Sequence, residues 1–192
     1  MNTATHPSAA ADARWIPLFP LHTVLFPGGL LPLKVFEARY IDMVSACMKQ
    51  EQPFGVVLIH SGQEVGLAAE PEAVGCLAHI TQWDMAQAGV LMLKTRGGER
   101  FRILETRTLH DQRLEARIDT IAADPEQNVI SEMHLHCAKA LRSVVEAIQN
   151  KGREEQGAAY QSPFDTPLQL DDSGWVANRW CEILPISLKA RQ

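Results

Sequence analysis

Two hydrophobic periods run along this chain, and the change from one to the other divides it. Residues 16–36 (IPLFPLHTVLFPGGLLPLKVF) are mostly apolar but are interrupted by Pro17, Pro20, Pro27 and Pro32. Proline offers no N–H to a ladder and clashes inside a helix. The segment is therefore expected as short extended pieces around a turn at Pro27-Gly28-Gly29, not as a long helix or a regular central strand. Over residues 37–50 the period becomes helical: Tyr40, Ile41, Val44, Cys47 and Met48 share one face, with Arg39, Asp42, Ser45 and Lys49 opposite. Residues 54–60 (FGVVLIH) read as a short buried strand, and residues 61–73, with Gly62, Gly66 and Pro71, as a polar loop. Strand-like runs follow at residues 74–85, at 90–95 with 101–109, and at 113–122. Turn signals at Gln87-Ala88-Gly89, Gly97-Gly98 and His110-Asp111 separate them.

So many strands with a single helix among them predict an antiparallel sheet curled toward a barrel; a doubly wound fold would need a helix after each strand. Beyond Asp124-Pro125-Glu126, which marks the expected seam, helical spacing returns at Met133, Cys137, Ala140, Leu141, Val144 and Ile148. Residues 151–169 are polar, with Gly and Pro, and are expected as a mobile loop near 151–170. Asp172 and Ser173 are capping residues for a last helix carrying Val176, Trp180, Ile183 and Leu184 and stopped by Pro185. The predicted class is α+β: a flexible tail over residues 1–14, a mainly antiparallel β pseudo-barrel with one helix over 15–123, and a helical subdomain over 124–192.

A length of 192 residues suits one domain with an accessory piece or two small domains, and 46% hydrophobic residues exclude wholesale disorder. No apolar run approaches the ~18–20 residues of a membrane-spanning helix. Residues 1–14 (MNTATHPSAAADAR) lack the apolar stretch of a secretory signal. Four widely spaced cysteines (Cys47, Cys76, Cys137, Cys181) fit reduced thiols in a cytoplasmic protein. The net charge of −5 is spread evenly, with 13 acidic and 11 basic groups in residues 1–123 and 10 and 7 in residues 124–192, so charge marks no boundary and no tail.

Motifs that carry chemistry are missing. There is no Gly-Lys-Ser/Thr phosphate loop, no Gly-x-Ser-x-Gly elbow, no His-Glu-x-x-His helix and no dinucleotide fingerprint. Cys76 and His79, three apart in an extended run, point to opposite faces. His134, His136 and Cys137 come together on a helix, yet no second ligand pair follows to complete a zinc site, and Cys137 fits the core face. No metal, cofactor or catalytic residue is expected. Arg96, Arg100, Arg102, Arg107, Arg113 and Arg117 could present a phosphate-binding face, but Glu99, Glu105, Asp111, Glu115 and Asp119 interleave with them. A solvated mixed-charge sheet is the expected outcome, and nucleic acid is not expected as a partner. Trp15, Trp83, Trp175 and Trp180 are expected in packing roles.

Three consecutive stretches form a recognisable opening. They are Ile16-Pro17-Leu18-Phe19-Pro20-Leu21, Val24-Leu25-Phe26-Pro27-Gly28-Gly29, and Leu31-Pro32-Leu33-Lys34-Val35-Phe36-Glu37-Ala38-Arg39-Tyr40. They resemble the start of the Lon protease N-terminal, substrate-binding domain. Val74-Gly75-Cys76-Leu77-Ala78-His79-Ile80, Gly97-x-x-Arg100-Phe101-Arg102-Ile103 and residues 175–188 (WVANRWCEILPISL) resemble later elements of that family in the same order. The resemblance spans residues 15–188. It implies a PUA-like pseudo-barrel followed by a helical subdomain, with a role in recognising unfolded or tagged substrates. In full-length Lon proteases an ATPase module and a Ser-Lys protease module follow. Neither is contained in these 192 residues, so a stand-alone member without peptide cleavage or ATP hydrolysis is expected. Gly28, Gly29, Glu37, Arg39 and Tyr40 are expected to be architectural.

The resulting expectation is a noncatalytic module that holds unfolded, hydrophobic or extended polypeptide segments, or a partner protein, through a barrel whose edges are open to strand addition. A patch of ~300 Å² yields ~7 kcal/mol gross, and association costs of at least ~4 kcal/mol leave weak, releasable binding. Leu30, Leu31, Trp83, Met85 and Met92 are the expected polypeptide contacts, being apolar and near turns or strand ends. Two alternatives remain open. One is a PUA-like RNA-binding module with a basic face. The other is a small-ligand binder or enzyme in a barrel–helix cleft, drawing on groups such as His60, His79 or Glu105.

Overall fold

The structure, a computed structural model, describes residues 14–124 and 131–192. Apart from Arg14, the expected tail lies outside the described residues, as do Pro125 and Glu126 of the expected seam. The described elements are β1 (Arg14–Leu21), β2 (Leu30–Val35), α1 (Ala38–Gln50), β3 (Phe54–Ser61), β4 (Glu70–Gln87), β5 (Val90–Thr108), β6 (Leu114–Thr120), α2 (Glu132–Gln156), a 3-10 turn (Gly157–Ala159), α3 (Ser173–Ile183) and a last short helix, α4 (Leu188–Arg191). The sheet order is β2-β5-β4-β3-β1-β6, and a further β5–β6 pairing closes β1, β3, β4, β5 and β6 into a ring. Only β1–β3 is parallel among these pairings, and β2 and α1 supply the crossover that a parallel pair needs. The fold is α+β, a β pseudo-barrel with C-terminal helices.

Pro17 and Pro20 do not keep their segment out of the middle of the sheet, as the sequence reading expected: β1 lies between β3 and β6. Its register explains how. Pairing with β6 covers residues 14–18 and pairing with β3 covers residues 18–21, so β1 is unpaired toward β3 at Pro17 and toward β6 at Pro20. Three positions apart, the two prolines turn their missing N–H to opposite sides, which this stagger accommodates.

Gly97-Gly98 was expected to end one strand and begin another, but β5 runs straight through it. Residues 91–96 pair with β2 and β4, whereas residues 101–108 pair with β6. At the change-over, Gly28 N donates to Gly97 O and Gly97 N to Gly29 O, both at 2.8 Å, and a Cβ on Gly97 would collide with the Phe26 carbonyl oxygen. The glycines here serve a close backbone crossing, and Gly28 alone of these also needs its positive φ of 70°. The loop expected over residues 61–73 is shorter than its composition suggests, because Glu70 already pairs with Ser61.

Two cores result. Ile16, Leu18, Val57, Leu77, Phe101, Leu114, Ala116 and Ile118 fill the ring, with the Phe101 ring seated over Gly55 and Gly75. Phe19, Leu33, Val35, Tyr40, Met43, Val44, Phe54, Leu91 and Leu93 belong to a second core, which seats α1. The start of α1 is held as its residues suggested. Tyr40 stacks on Phe19 with centroids 4.4 Å apart, and Arg39 donates to Glu37 and to the Gln112 carbonyl, each at 3.0 Å.

The helices depart from the sequence reading in phase and length. The buried stripe of α2 is Ala138, Leu141, Val145 and Gly152, whereas Met133 stands 71% exposed and Ala140 is exposed. Residues 151–156, expected as loop, are the last turns of α2. Lys151, Arg153, Glu154 and Glu155 favour helix, and Gly152 is accepted because the Tyr160 ring takes the place its side chain would fill. Further on, Phe164 is buried with Leu141, Val145, Trp175 and Val176. On α3, Asp172 caps as expected, accepting from Trp175 N at 3.0 Å, but the buried residues are Trp175, Val176 and Arg179, and Leu184 is exposed.

Candidate polypeptide-binding surface

The part of the sheet outside the closed ring is a three-stranded arm: β2, residues 91–96 of β5 and residues 79–87 of β4. Leu33, Val35, Leu91 and Leu93 on one face pack against α1, and alternation sends Pro32, Met92 and Lys94 to the other. The ladder of β4 with β3 ends at Ala78, paired with Phe54. Past that point β4 is laddered on its β5 side only, among the described residues.

All five expected contact residues lie on this arm: Leu30 and Leu31 on β2, Trp83 and Met85 on β4, and Met92 on β5. The register splits them between faces. Leu31 lies across from Thr95 and Trp83 across from Leu93, on the α1 side; Met85 follows Asp84, where the ladder with β5 shifts register. Met92, across from Asp84, and Leu30, across from Arg96, belong to the opposite face. Trp83, Met85 and Met92 are exposed, Trp83 by 60%, while Leu30 and Leu31 are half-buried. Trp83 joins two grooves. One of about 380 Å³ lies against the end of α1, beside Met48, Glu51, Pro53 and Thr81; another of about 330 Å³ is lined by Pro32, Gln82, Met92, Lys94 and Gln161. Gln82 and Gln161 carry no distinguishing pattern in the sequence, and Pro32 reads there as a break in regular structure; the packing of the chain alone brings them to Trp83.

A larger cavity, about 500 Å³, opens where the barrel meets α3, bordered by Gly28, His79, Arg96, Arg100, Asp124 and Trp175. Its arginines are already engaged: Arg96 with Asp165 at 2.9 Å and Arg100 with Asp124 at 2.7 Å. Beside it Arg179, 1% exposed, donates to the Pro27 carbonyl at 3.0 Å and to Glu182 at 2.7 Å, and lies against the Trp175 ring. Burial pushes the Glu182 carboxyl above the usual carboxylate range, and the Arg179 charge opposes that rise. Thus the Pro27-Gly28-Gly29 turn is the seat of α3. The apolar spacing of α3 concealed this role of Arg179, whose only trace in the sequence is a charge between Val176 and Trp180.

The remaining polar groups are dispersed. Arg107 pairs with Glu115 at 2.5 Å, Arg113 with Asp111 at 2.6 Å and Arg117 with Glu105 at 3.3 Å, so most of the arginine series is matched by carboxylates. His60 is bound to Glu72 at 3.0 Å, Glu105 to Arg117, and His79 alone of that trio borders the seam cavity. Cys76 is buried, its thiol 3.4 Å from the Gly98 carbonyl and pushed up to about 12 by desolvation, whereas His79 is exposed. His134 bonds the Leu170 carbonyl at 2.9 Å, His136 that of Glu132 at 2.9 Å, and Cys137 joins the helical core.

The description "ATP-dependent protease La (LON) substrate-binding domain" matches residues 15–192. The chain belongs to this family. Among solved structures it is similar to a Lon N-terminal domain protein from Xanthomonas campestris, at 31% identity and a TM-score of 0.71, covering 93% of this chain and 87% of that one. The N-terminal domain of a Mycobacterium avium complex Lon protease, at 15% identity and a TM-score of 0.54, covers 93% of this chain and 94% of that one and shows the same fold. Curated relatives include Lon protease 2 of Myxococcus xanthus and the Lon protease of Anaeromyxobacter dehalogenans (strain 2CP-C), each 28% identical over 68% of this chain. The matched stretch is 16% of the length of each. No helix among the described residues is long and apolar enough to cross a membrane.

Proposed function

We propose that this chain is a noncatalytic polypeptide-binding module of the Lon substrate-binding family, and that the arm is where it holds unfolded or apolar segments. The observation that carries this reading is the exposure of Trp83 and Met92 at two grooves that share Trp83, with Met85 exposed further along β4, on a sheet arm that the ring does not enclose. Large apolar side chains held in solvent on a folded scaffold lose free energy unless something covers them. Strands and helix α1 fix them in place, so covering them costs little ordering on this side of the complex. The seam cavity is a weaker candidate, because its arginines and Asp172 are committed to internal partners.

Fluorescence anisotropy with a labelled, permanently unfolded polypeptide tests the reading. Saturable binding in the micromolar range is expected. Trp83→Asp together with Met85→Asp should weaken it at least about tenfold, the loss of ~1.4 kcal/mol or more of apolar burial. Absence of binding, or binding untouched by these changes, would contradict it. An RNA reading would instead require salt-dependent binding to RNA, and the matched arginine–carboxylate pairs on β5, β6 and the turn between them speak against it.

A further inference from the structure

The arm has two long edges, and they differ. On β2 the outer edge carries Pro32 at its centre, a residue with no N–H to offer an incoming strand. The outer edge of β4 over residues 79–87 contains no proline, and Thr81, Gln82, Trp83, Asp84 and Met85 are all exposed. This edge also continues an existing ladder. Strand β3 runs antiparallel to β4 up to the Phe54–Ala78 pair, and there Pro53, Gln52 and the left-handed Glu51 (φ 52°) lead the chain away into α1. Among the described residues a strand slot in line with β3 therefore stands open beside β4, floored by the groove of Met48, Glu51, Pro53 and Trp83. Pairing of β4 with β5 is regular over residues 82–84, between irregularities at Thr81 and after Asp84, so the edge is straight where Trp83 sits.

We infer that residues 79–87 of β4 form a strand-addition site, and that its occupant is an extended polypeptide segment with alternating apolar and basic residues, lying antiparallel to β4 in line with β3. The inference rests on the polypeptide-binding reading and specifies its mode. Backbone groups of β4 supply recognition that does not depend on client sequence. Side chains of the incoming strand alternate between faces, so every second one reaches the Trp83 and Met48 groove. Charge sets the rest of the preference: the alternate side chains, on the opposite face, meet Asp84 of the edge strand, Glu51 adds a carboxylate at the rim of the Trp83 groove, and Lys94 lies one strand further in, on β5.

The test uses the full chain and an acetylated ten-residue peptide of alternating valine and lysine, with two derivatives N-methylated at either all valines or all lysines. N-methylation removes backbone donors and leaves side chains in place, and only every second N–H of an added strand faces its neighbour. One derivative should bind about tenfold or more weaker, and the other within about threefold of the parent. Loss for both derivatives, or for neither, would overturn strand addition. If the unfolded polypeptide still bound in the Trp83-dependent way, the broader reading would survive that result. Failure of parent peptide and unfolded polypeptide alike would overturn both. Sedimentation showing a dimer of this chain broken by Trp83→Asp would assign the edge to a second copy and also overturn the proposal.

Discussion

Strand β5 belongs to two structures at once, and its two halves behave differently. Beyond Gly97 it is part of the closed ring, where Phe101 and its neighbours pack inward and β4 and β6 take up the edges. Before Gly97 it is the middle strand of the arm, buried on one face only, with a blunted edge on β2 and an unladdered one on β4. Closure consumes backbone donors and acceptors and apolar surface together, so the ring is built for stability. The arm keeps both available, so it is built for contact. Stability and binding should therefore respond to different residues.

Phe101→Ala attacks the ring most directly. It leaves a hole over Gly55 and Gly75 and should cost about 3–5 kcal/mol, read as a fall in the urea midpoint. Gly97→Ala strikes the point where ring becomes arm, driving a Cβ into the Phe26 carbonyl; a loss of about 2–3 kcal/mol is expected in the same measurement. Alkaline pH should act next. Burial raises the Cys76 thiol from 9.0 to about 12, and raises Cys47 and Tyr40 as well. An acid with a folded pKa above its unfolded value holds its proton more tightly when folded. The stability it contributes is complete below pH 9 and is lost as pH rises toward 12. For Cys76 the loss is about 1 kcal/mol at pH 10, and Cys76→Val should remove that part of the pH dependence. Trp83→Asp should have the least effect on stability, within about 0.5 kcal/mol, because its ring is mostly in solvent. A large destabilisation there would erase the contrast between ring and arm.

The strands were legible because alternation and turn residues act locally. So many strands around a single helix already pointed to a sheet curled toward a barrel, and the resemblance implied the same pseudo-barrel. Misreadings arose where a residue's local preference is overruled by a distant partner. Pro17 and Pro20 sit in a central strand because two ladders stagger around Leu18, and Gly97-Gly98 breaks no strand because the Pro27 turn crosses it. Gly152 stays helical under the Tyr160 ring, and Arg179 is buried because α3 seats on the Pro27 carbonyl. The expected contact residues were found as apolar side chains near turns. Their division between two faces, and the open slot beside β4, depend on register, which no single segment specifies.

Hydrogen exchange of the chain, alone and saturated with an unfolded polypeptide, tests the central claim most directly. Slowed exchange is predicted within residues 79–87, with the ring strand β6 unchanged. Protection confined to the seam around Gly28 and Trp175, or absent from β4 under saturation, would contradict it.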